Sequence, residues 1–102
     1  MPFIRAPFPH LPWAQGTHPL ERKKASADHP AALLEFAPGF EDPHWCERGH
    51  AGYVLSGLIE LDLEDRKETM IAGEGFWLDP GTKHRARNPG SEPVILFLVS
   101  RD

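Results

Sequence analysis

Cysteine is nearly absent: Cys46 stands alone in 102 residues, which excludes an intramolecular disulfide and fits a reducing compartment. Nowhere do about eighteen apolar residues run together, the length a membrane-spanning helix needs. The opening MPFIRAPFPHLP also lacks an uninterrupted apolar stretch of signal-peptide length. The expectation is a cytoplasmic protein with no membrane partner. A basic face is missing too. Eleven Lys and Arg are scattered among 15 Asp and Glu, the net charge is -4, and nothing is left to neutralise a phosphate backbone, so nucleic acid is not an expected partner. The one basic cluster, ERKK at residues 21–24, reads as a solvated loop among acidic neighbours.

Also lacking is any stretch free of proline and glycine long enough for an amphipathic helix, because 11 prolines and 9 glycines interrupt the chain every few residues. What is present is β-forming. ALLEFA, GYVLSG, LIELDL, TMIAG, GFWL, HRARN and VILFLVS are short runs separated by turn residues, the pattern of an all-β sandwich or barrel. In LIELDL the alternation buries Ile59, Leu61 and Leu63, and the charged run Glu64 to Glu68 then makes a hairpin tip. VILFLVS is apolar almost throughout, as expected of a strand covered on both faces. The length allows one domain. Residues 1–30, broken by prolines, read as an irregular arm supplying edge strands at most, and its Phe3, Ile4, Phe8, Leu11 and Trp13 should pack on the barrel or on a partner subunit. Residues 31–102 form the barrel.

Chemistry concentrates in HWCERGH, residues 44–50. If His44 and Cys46 lie in a strand they share a face, and His50 can join them after a turn at Gly49. His84 opens the strand HRARN, from which a fourth donor can reach the same cavity. Imidazoles with a thiolate suit a divalent transition metal, zinc or iron(II) first and nickel, copper or cobalt next, and disfavour magnesium or calcium. If His44, Cys46, His50 and His84 all bind zinc, its tetrahedral shell is full. With Cys46 withdrawn or a larger shell, sites stay open for water or substrate.

Other side chains have simpler readings. His10, His18 and His29 sit beside prolines in the arm and read as ordinary surface residues. Asp79, Pro80 and Gly81 are turn chemistry. Trp45 and Phe97 read as core, Arg85 and Arg87 as surface residues opposite His84, and Asn88 as the residue that fixes a turn before Pro89 and Gly90. Neither paired carboxylates nor a Ser, His and Asp arrangement stands out.

The stretch GEGFWLDPGTKHRARN resembles the second signature motif of the cupins, with Gly73, Gly81, His84 and Asn88 on their places and Asp79 where the family has proline. The first cupin motif is matched in spacing but not in residue type: aligning Gly57 puts His44 and Cys46 on the two histidine positions and His50 on the glutamate. The resemblance implies a small single-domain cupin with a variant metal motif, folded as a double-stranded β-helix or jelly-roll barrel. It also implies a homodimer associating through N-terminal strands. Two functions remain open. One is a metal-dependent enzyme of oxygenase, lyase or isomerase type acting on a small polar molecule. The other is a non-catalytic binding or sensing module with a closed zinc site.

Overall fold

In a computed structural model the described residues are 3–25 and 30–101, with Arg101 described by its backbone alone. The expectation for His29 lies outside the described residues. Nine strands follow in order: β1 (Ala14–Gln15), β2 (Glu21–Ala25), β3 (Ala31–Phe36), β4 (Gly49–Ser56), β5 (Leu58–Leu63), β6 (Lys67–Ile71), β7 (Gly75–Leu78), β8 (His84–Arg87) and β9 (Val94–Arg101). Among the described residues there is no α-helix, only a 3-10 turn at Phe8–His10. The strands form two antiparallel sheets, β1-β2-β3-β9-β4-β7 and β6-β5-β8, the two-layer arrangement of a jelly roll.

Period-two alternation sets the layers. On β5, Ile59 and Leu61 face inward and are buried, while Glu60 and Asp62 face outward. Their partners are the outward cations of the flanking strands: Glu60 with Arg87 at 3.0 Å and Lys67 at 3.5 Å, and Asp62 with Arg85 at 3.4 Å. The larger sheet meets this layer with Phe36, Val54, Leu78, Val94 and Leu96, and Phe40 stacks on Phe36 with ring centroids 4.0 Å apart. The central strand β9 hydrogen-bonds both β3 and β4, so its near-continuous apolar run has neighbours everywhere along it. Gly57, at φ +83°, turns the chain from one sheet to the other where an added Cβ would lie 2.5 Å from the Pro93 carbonyl oxygen.

The region before residue 30 is more regular than its prolines suggest. ERKK is not a loop: it lies in β2, in register with β3 from Glu21↔Phe36 to Ala25↔Ala32. Charge is no obstacle because alternation puts Arg22 and Lys24 on the outer face, over the Trp13 ring at 5.2 and 5.1 Å, and Arg22 pairs with Glu35. The arm is laid on the sheet through Phe8, whose ring meets Phe97 edge-on at 6.1 Å and whose carbonyl accepts from Lys24 Nζ at 2.9 Å. Phe3 and Ile4 remain exposed.

Candidate metal centre and its cavity

Between the sheets lies a cavity of about 310 Å³ with mostly apolar walls, among them Leu34, Leu61, Phe76 and Leu98. At it meet Cys46, His50 and His84, whose potential ligand atoms all lie within 4.8 Å of one another. Each is held by a different device. His84 is buried on the inner face of β8, and its Nδ1 donates to the Thr82 carbonyl at 2.8 Å, which leaves Nε2 with its lone pair free. His50 faces inward from β4, with Nε2 4.0 Å from Cys46 Sγ and Nδ1 3.3 Å from Ser100 Oγ across the β4–β9 ladder. A ligating Nε2 keeps its hydrogen on Nδ1, and that hydrogen then donates to Ser100 Oγ.

Cys46 is outside any strand but is pinned to His84 by an isolated bridge, with each backbone nitrogen donating to the other's carbonyl at 2.9 Å. The two imidazoles stand edge-to-face at 5.2 Å between centroids. Burial pushes the His50 pKa down to about 4, helped by the neighbouring His84 and then by Arg48. At neutral pH His50 is therefore the uncharged imidazole that a metal requires. Two imidazoles and a sulfur around one point are a donor set that fits zinc, iron(II) or a neighbouring transition metal.

The sequence-predicted residues do not all converge. His44 lines the same cavity but is exposed, and the converging trio does not include it. The cause is local. Between β3 and β4 the chain forms only single bridges at Glu41 and Cys46, so the strand alternation expected to align His44 with Cys46 does not operate. Nor does Gly49 make the turn anticipated there. It lies inside β4, where a Cβ would sit 2.8 Å from Pro80 Cδ. Trp45, expected in the core, is 43% exposed at the cavity's edge, with the Arg85 guanidinium over its ring at 4.5 Å. Arg85 and Arg87 do face away from His84, as alternation requires. Asp79 and Gly81 do form a turn, with Thr82 N–H donating to the Asp79 carbonyl at 3.1 Å and Gly81 at φ +93°.

Two carboxyl groups at the cavity escaped the sequence reading. Asp42 accepts the Ala86 N–H through Oδ2 at 2.9 Å, and its own N–H donates to the Ala86 carbonyl at 2.9 Å. Its Oδ1 has no partner among the described residues. Burial raises the Asp42 pKa, against the Ala86 N–H, which lowers it; Glu21 raises it further, and His84 and His18 lower it. Glu21 reaches the cavity from the inner face of β2, opposite Phe36 in the register. ERKK, charged at every position, has no apolar alternation that could have singled Glu21 out. Asp42 offered no periodic signal because it lies in the irregular connection.

The cupin domain pattern matches residues 32–100. No curated protein matches the chain. Among solved structures, KdgF from Halomonas sp. is similar at 28% identity and a TM-score of 0.71, over 89% of this chain and 88% of that one. The polyketide cyclase RemF from Streptomyces resistomycificus shares the fold at 22% identity and a TM-score of 0.79, over 96% and 78%. A Cupin 2 conserved barrel domain protein from Salinispora arenicola does so at 20% identity and a TM-score of 0.65, over 100% and 89%.

Proposed function

The chain belongs to the cupin domain family, and from that premise we propose that it is a metal-dependent enzyme for a small molecule, its ion held by Cys46, His50 and His84. The observation that carries this reading is the number of converging donors. Three protein ligands at a cavity leave a tetrahedral ion one position for substrate or water, the arrangement of catalytic sites, whereas structural zinc sites close with four. Zinc and iron(II) suit the donors first, and nickel, copper or cobalt next. When bound, such an ion supplies Lewis acidity toward a substrate oxygen.

The chain's own residues supply the rest. The Thr82 carbonyl and Ser100 hydroxyl orient the two imidazoles. Apolar walls exclude water and leave the polar ends to fix the substrate's orientation. Asp42 Oδ1, without a hydrogen-bond partner among the described residues, is placed to accept a substrate proton and return it. A proton-handling carboxyl beside a three-donor metal site favours lyase or isomerase chemistry over oxygenation. The competing reading is a non-catalytic module in which His44, already at the cavity, swings in as a fourth ligand and closes the site.

Metal analysis of untagged protein separates the two. His84→Ala should lose tenfold or more in zinc affinity, and His44→Ala should lose almost none. Equal losses in both variants would support the closed site, and unchanged affinity in His84→Ala would remove the metal reading altogether. A cytoplasmic location rests on the isolated cysteine. Homodimerisation is supported by the exposed Phe3 and Ile4 of the arm, and a strictly monomeric mass in light scattering at high concentration would refute it.

A further inference from the structure

The charge lining the cavity says what kind of molecule fits it. Among the described residues neither lysine nor arginine lines it; apart from the histidines, the ionisable groups there are Glu21, Asp42 and Cys46. Glu21 Oε1 accepts from Thr17 Oγ1 at 3.3 Å, which leaves Oε2 with lone pairs to spare, and Asp42 has Oδ1 uncommitted. A phosphate or a second carboxylate on a ligand would meet these acceptors without a counter-charge. The thiolate cancels half the charge of a divalent ion, and one ionised carboxyl cancels the rest. Hydroxyl groups donate and would be matched. Between the polar ends the walls are Leu34, Phe36, Phe76 and Leu98, which suit an apolar or planar body. At about 310 Å³ the space lies at the small end of the roughly 300–1,000 Å³ range of ligand pockets.

We propose that the cavity selects a small, uncharged, hydroxyl-bearing molecule with an apolar body and rejects phosphorylated ones, with Glu21 as the specificity-determining residue. The proposal rests on the reading of this cavity as the substrate site. It goes further in making the substrate wall depend on β2, which lies outside the matched cupin segment of residues 32–100. Glu21 holds its place because β2 pairs with β3 and because Gly16 leaves it room: a Cβ there would lie 2.6 Å from Glu21 Oε1. The N-terminal strands thus carry recognition while the barrel carries the donors. Discrimination of this kind is large in the metal-free cavity, since a charged oxygen facing an acidic wall there meets no lysine or arginine among the described lining residues.

The test titrates full-length protein with resorcinol, an uncharged aromatic diol, and with phenyl phosphate, an anion of similar size, followed by fluorescence of Trp45 at the cavity's edge and by calorimetry. Both are run on zinc-loaded and on chelator-stripped protein. The wild type should bind resorcinol at least tenfold more tightly than phenyl phosphate in the stripped form, where no ion can attract the anion. Glu21→Gln should narrow that ratio at least fivefold while zinc stoichiometry and the far-ultraviolet spectrum stay unchanged. Glu21→Asp should restore part of it. Phenyl phosphate bound as well as resorcinol, neither probe bound, or a ratio unmoved by Glu21→Gln would each overturn the proposal. If zinc fails to bind but the selectivity and its loss in Glu21→Gln are observed, the metal reading falls and the specificity assignment stands.

Discussion

Replacing Asn88 by alanine should destabilise the fold severely without touching the metal site. The side chain is 2% exposed and makes three hydrogen bonds: Nδ2 donates to the Phe36 carbonyl at 3.0 Å and the Glu92 carbonyl at 2.8 Å, and Oδ1 accepts from Gly90 N–H at 3.0 Å. These tie the end of β3, the loop before β9 and the exit of β8 to one residue. Each bond contributes a net of about 0.5–1.5 kcal/mol, so their joint loss centres near 3 kcal/mol. For a domain of this size that lowers Tm by about 12–24 °C, at roughly 4–8 °C per kcal/mol. Urea unfolding should move by about 2 M if m is about 1.5 kcal/mol/M. Asn88→Asp keeps the shape but sets a carboxylate oxygen against two carbonyls, so it should be as harmful at neutral pH and milder in acid. Zinc stoichiometry should be intact in whatever fraction folds. A Tm drop under about 4 °C in Asn88→Ala, or loss of metal from a variant of normal stability, would refute the reasoning.

Other consequences are as direct. Gly52→Ala drives a Cβ into the Phe76 ring at the cavity wall; it should cost about 1–3 kcal/mol, and Phe76→Leu in the same chain should recover most of that in urea titrations. In chelator-treated protein, His50 resists protonation at pH values where the unfolded chain accepts it, since its pKa falls from 6.5 to about 4 on folding. Its stabilising contribution is therefore complete above pH 6.5 and is lost as pH falls through 4, at a slope below the ceiling of about 1.4 kcal/mol per pH unit because the ring is only half-buried. Asp42, with a raised pKa, acts in the opposite direction, its contribution present in acid and lost as pH rises, so urea midpoints for wild type and His50→Asn at pH 7 and 4.5 isolate the histidine. The variant should lose less than the wild type on acidification, and equal losses would contradict the assignment. Zinc at about a hundred times its Kd should add about 2.7 kcal/mol, seen as a Tm rise of about 11–22 °C that EDTA reverses; an unchanged Tm would speak against a bound ion.

How much of this was readable beforehand depended on periodicity. The strands from β3 to β9 were visible because their alternation or apolar runs agree with their final environment, as in Ile59 and Leu61. Asn88 was read correctly as a turn residue, although its bond to the Phe36 carbonyl, 52 positions away, belongs to tertiary structure and has no local signature. β1 and β2 were hidden for two reasons: the surrounding prolines suggested irregularity, and charged strands are legible only when a neighbour such as Trp13 is known to cover them. At the site, His84 opens a regular strand and could be placed by parity, whereas His50 was expected after a turn at Gly49 and instead lies within β4. The segment of residues 41–48 keeps no strand parity, and there the expectations for His44 and Trp45 failed to anticipate exposure.

The reciprocal pair of backbone bonds joining Cys46 to His84 has an outcome for the life of the protein in a cell. Sulfur and imidazole are brought together by amide groups whose attraction owes nothing to an ion, so the proposed site is assembled by the fold itself before any ion arrives. If an ion binds there, its occupancy would follow the ambient metal supply rather than the history of folding.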